Sequence, residues 1–240
     1  MNTAPESAMV LAAGLGTRMR PITEQLPKPL VTVGGRALID HVLDRLVAAG
    51  VRRAVVNLHY KGEMIERHLA GRRDIEVKFS REPALLDTGG GVAAALPLLG
   101  ECFYVVNSDV LWLDTKLSAL ARLARAFDPA RHDVILLLVR TTRAIGYTGL
   151  GDFMLEPNAT LRRRGEREVA PHLFAGIQIL QRAMFAGAPQ GAFSMNPLWD
   201  RAIAAGRIRG LVHDGEWFHV GSPEGLALTE SRISTHRIER

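Results

Sequence analysis

Residues 8–30, AMVLAAGLGTRMRPITEQLPKPL, decide how the rest of the chain is read. Met9-Val10-Leu11-Ala12-Ala13 is an apolar run of buried-strand length. It breaks into Gly14-Leu15-Gly16-Thr17-Arg18. Two glycines there let the chain turn sharply and bring main-chain N–H groups against a ligand with no Cβ in the way. Arg18 and Arg20 follow, and Lys28 stands between Pro27 and Pro29, which stiffen the backbone that carries it. A strand, a glycine turn and cations at fixed offsets make a cradle for a polyanion. The lysine stands out because the chain has only four, Lys28, Lys61, Lys78 and Lys116. A P-loop needs a wider glycine spacing followed by Lys-Ser/Thr, and the dinucleotide fingerprint needs a glycine where Met19 stands.

The 240 residues suit one large domain or one domain with a small extension. Hydrophobic content of 47% and charged content of 23% supply a sizeable core and exclude global disorder. The net charge of +5 is mostly arginine and is scattered, which reads as a solvated surface rather than a nucleic-acid site. The densest basic cluster, Arg162-Arg163-Arg164 with Arg167, reads as a loop. One cysteine, Cys102, rules out an intrachain disulfide and a cysteine zinc site. Met1 to Glu6 lack the start of a signal peptide, and no apolar run reaches membrane-spanning length. A cytoplasmic, reducing location is the expectation.

Leu38, Ile39, Val42, Leu43, Leu46 and Val47 recur at helical spacing up to Gly50. Strands are expected at Arg53 to Leu58 and Ile75 to Phe79, with a short helix between them. Alternating strands and helices argue for parallel βαβ units. Thr88-Gly89-Gly90-Gly91 runs into an alanine-rich helix, which puts bare backbone at a helix N-terminus, as a ligand-facing loop or as a hinge. Phe103 to Val106 is a buried strand ending in Asn107-Ser108-Asp109, and parallel sheets bind ligands beyond such ends. Asp109 therefore falls on the edge that carries Gly14 to Arg18, and its hard oxygens suit Mg²⁺. A helix is expected over Asp114 to Phe127, and the most apolar strand, Val134 to Val139, is expected at the centre of the sheet. From Gly149 onward, short strands are separated by turns, among them Asp152 to Leu155, Leu173-Phe174 and Ile177 to Leu180. Asn196 opens another helix, and a last one runs from about Pro223 to Ile233. That last helix is a candidate interface, so monomer and homodimer both stay open.

The signature L-A-A-G-L-G-T-R with P-K-P resembles that of the sugar-1-phosphate nucleotidyltransferases, and the resemblance spans about residues 8 to 230. It implies an α/β fold: a Rossmann-like, mixed, mostly parallel sheet flanked by helices, with a small sugar-binding extension. One domain over 8–240 would hold a nucleotide-binding half, 8–140, and a sugar-binding half with the C-terminal helix, 141–240. The resemblance places Ala13, Gly14, Gly16, Thr17, Arg18 and Lys28 at the triphosphate, Thr88 and Gly89 at base and ribose, and Asn107 near the ribose. Arg18, Lys28 and Asp109 would be catalytic, with Asp109 on magnesium. Asp152, Gly176 in F-A-G-I, and Asn196 would face the sugar. Where the family usually carries a second metal-binding aspartate, this chain has His219. Imidazole is a softer ligand, so Mn²⁺, a metal-bound water, a phosphate and a plain core histidine all remain readings of that position.

The partners so implied are an NTP and a sugar 1-phosphate, joined as an NDP-sugar with release of pyrophosphate. The D-T-G-G-G and G-D-F segments favour UTP with N-acetylmuramate 1-phosphate, as in cell-wall recycling. GTP with mannose 1-phosphate is the alternative. A nucleotide-binding sensor without turnover is the reading from a different class. Nucleic acid and membrane are not expected partners.

Overall fold

A computed structural model describes residues 4–238. Met1 to Thr3, part of the stretch read above for a signal peptide, lie outside the described residues, as do the last two residues of the expected 8–240 domain.

The main sheet has nine strands. Its parallel half runs, in spatial order, Cys102–Asn107, Ser7–Leu11, Arg53–Leu58 and Glu76–Arg81. The inner strands are apolar on both faces because helices cover both. Val10, Val56 and Val106 enter one core, shared with Val42, Leu43 and Leu46 of the helix Leu38–Ala48. Met9, Val55 and Val105 enter the other, with Val92, Leu198 and Trp199. The other half of the sheet is mixed. His172–Gln181 lies antiparallel to Cys102–Asn107 on one side and to Val134–Arg140 on the other, and Ile208–Val212 pairs parallel with Val134–Arg140. The expected α/β class, a mixed sheet between helices, is the observed one.

Five local expectations change. The basic cluster expected as a loop begins in a strand, Leu161–Arg163, paired antiparallel with Phe153–Leu155. The two short strands expected around residues 173–180 are one strand, His172–Gln181, with an irregularity between Phe174 and Gln178. Gly176 there has φ of 77°, a conformation that bends the strand without ending it. The most apolar strand is not central. Val134–Arg140 lies one strand in from an edge, beside Ile208–Val212, whose Arg209 and Gly210 hid its strand character. The helix expected from Asp114 starts at Ala119, because Val110–Leu113 form a strand and Asp114 Oδ1 accepts the Ala119 N–H at 2.8 Å. The helix around the glycine triplet starts at Asp87, so Gly89, Gly90 and Gly91 lie inside it rather than ahead of it.

A three-stranded sheet of Val110–Leu113, Glu216–His219 and Ala144–Ile145 leans on the helix Pro223–Ile238. Its register sets His219 opposite Val110, and so beside Asp109. Among the described residues no helix is long and apolar enough to cross a membrane.

Candidate active site

The parallel strands end at one edge, and a cavity of about 440 Å³ opens there. Its floor is the stretch Leu11 to Arg18. Gly16 takes φ of 63°, and a Cβ there would stand 3.0 Å from Thr23 Cγ2 and 3.1 Å from Lys28 Cβ. The glycine thus lets the turn fold against the segment that carries the lysine. Thr23 Oγ1 donates to the Gly16 carbonyl at 2.9 Å and fixes that approach. Space beside Gly14 is open: no atom lies within 4 Å of an ideal Cβ. Among the described residues, the N–H groups of Gly14, Leu15, Gly16 and Thr17 have no acceptor. Four free amides on one wall form a ready anion site. Arg18 is exposed on that wall, with no ion-pair partner among the described residues.

Lys28 and Asp109 meet across the cavity wall, Nζ to Oδ2, at 2.6 Å. They are 81 positions apart in the chain, brought together by the neighbouring strands Ser7–Leu11 and Cys102–Asn107. The lysine side chain is 10% exposed and the aspartate 29%, so the pair is shielded yet reachable from the cavity. His219 stands close by. Burial pushes its pKa down; Asp109 pulls it up, and Lys28 and Arg18 push it down. The net shift is downward, which favours the neutral ring. A Cβ on Gly221, which lines the cavity, would collide with that ring.

Ala13, Gly14, Gly16, Thr17, Arg18, Lys28, Thr88, Asn107 and Asp109 all line this one cavity. The remaining sequence-derived residues do not. Gly89 and Gly90 donate their amides to the Phe193 carbonyl, at 2.8 and 3.0 Å, so Gly89 turns its backbone toward protein. Asp152 Oδ2 accepts the Phe174 N–H at 2.8 Å, tying the residue before the strand Phe153–Leu155 to the strand His172–Gln181. Gly176 abuts the site from behind: a Cβ would stand 3.0 Å from Asn107 Nδ2 and from Val110 Cγ1, so its free space is filled by these side chains. Asn196 is exposed in the first turn of the helix Asn196–Ala204. The basic cluster is engaged within the chain: Arg162 pairs with Glu168 at 2.8 Å, and Arg164 Nε donates to the Gly151 carbonyl at 3.0 Å.

The sequence reading missed Asn57 and Glu82, which also line the cavity. Their signal was available: each is a polar residue at the carboxyl end of a parallel strand, where ligands bind.

Residues 7–150 match the protein-family model described as Nucleotidyl transferase. The chain is 45% identical to the N-acetylmuramate alpha-1-phosphate uridylyltransferase of Caulobacter vibrioides, over 98% of this chain and 99% of that one. It is 37% identical to the protein of the same name from Neisseria meningitidis serogroup B, over 90% of this chain and 93% of that one. Among solved structures, UDP-glucose pyrophosphorylase complexed with UDP-glucose is similar at a TM-score of 0.79. That match covers 97% of this chain and 99% of that one at 17% identity, a likeness of fold.

Proposed function

The chain belongs to the nucleotidyl transferase family, and from that premise we propose that it joins UTP to N-acetylmuramate 1-phosphate, releasing pyrophosphate. The observation that carries the reading is the Lys28–Asp109 contact of 2.6 Å in the wall of a cavity floored by free amides. A cation for phosphate and a carboxylate for a metal ion then act at one place.

In the proposed reaction an oxygen of the sugar 1-phosphate forms a bond to the α-phosphorus of UTP. The bond from that phosphorus to the bridging oxygen breaks, and pyrophosphate leaves with the electron pair. No general base is required, because the attacking phosphate oxygen is already anionic at pH 7. The chain supplies position and charge. The amides of Gly14 to Thr17, with Arg18, hold the β- and γ-phosphates. Lys28 offsets charge that develops at the α-phosphate.

The donor set fits a divalent cation. Among the described residues no three acidic, histidine or cysteine side chains cluster, so a closed protein cage is absent. A single reachable carboxylate suits Mg²⁺, which completes its shell with water and substrate phosphate. Asp109 would hold it, and His219 is the second candidate ligand, a donor that also accepts Mn²⁺. Bound there, the cation would neutralise phosphate charge. The unpaired Cys102 fits a reducing compartment, and a cytoplasmic location is part of the proposal.

The test is pyrophosphate release from UTP and GTP, each offered N-acetylmuramate 1-phosphate and mannose 1-phosphate. The expected outcome is turnover chiefly with UTP and N-acetylmuramate 1-phosphate. Preference for GTP with mannose 1-phosphate would reassign the substrates. Tight nucleotide binding without turnover on either sugar would point to a sensor.

A further inference from the structure

In the lining of the cavity, Asn57 and Glu82 are 3% and 4% exposed. Asn57 Oδ1 accepts the Ala12 N–H at 2.6 Å, at the entrance to the glycine turn. Asn57 Nδ2 donates to Glu82 Oε1 at 2.7 Å. Glu82 Oε2 accepts the Leu86 N–H at 3.0 Å. These three bonds run without a break from the glycine-turn side of the cavity to the segment whose Leu85, Asp87 and Thr88 also line it. In that segment Asp87 takes φ of 58°. The pair also has no slack: a Cβ on Gly91 would stand 2.7 Å from Glu82 Oε1 and 2.9 Å from Asn57 Nδ2.

We infer that Asn57 and Glu82 are positioning residues, a buried strut that sets the gap between the glycine turn and the Leu85–Thr88 wall and so the fit of the nucleotide. The inference rests on the proposed nucleotide site. It assigns neither side chain a direct contact with ligand, because all four polar atoms of the two side chains are engaged within the chain.

The strut can be reversed without being removed. In Asn57→Asp with Glu82→Gln, the aspartate accepts from Ala12 and from the new amide, and the glutamine oxygen accepts from Leu86. All three bonds and the net charge are kept. Either substitution alone opposes like groups: two carboxylates in Asn57→Asp, two donors in Glu82→Gln. Calorimetry of UTP with Mg²⁺ on the full chain should show each single variant weakened about 10-fold or more, and the reversed pair within about 3-fold of the parent. The KM for the sugar 1-phosphate should stay near that of the parent in all four proteins, which separates positioning from general damage. Where a single variant does not fold, the reversed pair must still fold and bind. A reversed pair as weak as the worse single variant would overturn the inference and assign Glu82 to the ligand itself. Single variants with unchanged affinity would overturn it too. A parent chain that binds neither UTP nor GTP would overturn the nucleotide reading, and the inference with it.

Discussion

Two glycine-rich segments lie on the same side of the sheet and serve opposite ends. Gly14 to Thr17 present four amides that no group in the described chain accepts, and the space beside Gly14 is open. Gly89 to Gly91 present none of that. The first two amides are spent on the Phe193 carbonyl, and ideal Cβ atoms would collide on every side: 2.5 Å from Phe193 Cε2 at Gly89, 2.3 Å from the Gly191 oxygen at Gly90, 2.7 Å from Glu82 Oε1 at Gly91. In the first segment the missing side chain at Gly14 leaves open space, and the one at Gly16 lets the turn close on Thr23 and Lys28. In the second the missing side chains leave room for the protein. A glycine run in a sequence states that something approaches closely, and only the fold states what.

Substitutions should divide along that line, with activity lost on one side and stability on the other. The largest effect is expected at the cavity. Asp109→Ala should lower turnover by more than about 100-fold, because the proposed metal loses its carboxylate. Near-normal steady-state rates would remove the metal from Asp109. Lys28→Ala should cost about 10-fold or more in kcat, equivalent to about 1.4 kcal/mol of transition-state stabilisation. A smaller loss would take the lysine out of the chemistry. On the packed side, Gly90→Ala should destabilise the chain by roughly 1–3 kcal/mol in urea titration, because the new methyl would stand 2.3 Å from the Gly191 oxygen. An unchanged midpoint would mean that the helix Asp87–Ala95 shifts freely, and the contrast between the segments would weaken. The smallest change in stability is expected for Gly14→Ala, within about 0.5 kcal/mol of the parent, since its methyl meets nothing. Its UTP affinity should nevertheless fall. A variant with unchanged affinity would show that the phosphates keep away from that turn.

Much of this was legible in the sequence, and the part that was not has a common cause. The glycine turn, Lys28 and Asp109 were readable because strand ends and fixed offsets are local, and the parallel order of the strands brings them together. Asn57 and Glu82 escaped because each alone is an ordinary polar residue, in N-L-H-Y and R-E-P. Their role exists only once strands Arg53–Leu58 and Glu76–Arg81 lie side by side. Gly89 reads as ligand-facing in the sequence because Phe193, 104 positions later, gives no local sign of accepting its amide. Asp152 lies outside the cavity, and one of its carboxylate oxygens accepts the Phe174 amide, a partner 22 positions away that its own neighbourhood does not signal.

Amide hydrogen exchange with and without UTP bears most directly on the claim that bare main chain at one sheet edge grips the triphosphate. UTP should slow exchange at Gly14, Leu15, Gly16 and Thr17 and leave Gly89 and Gly90, already bonded to Phe193, as they were. Slowing at Gly89 and Gly90 with no change at Gly14 to Thr17 would contradict the account.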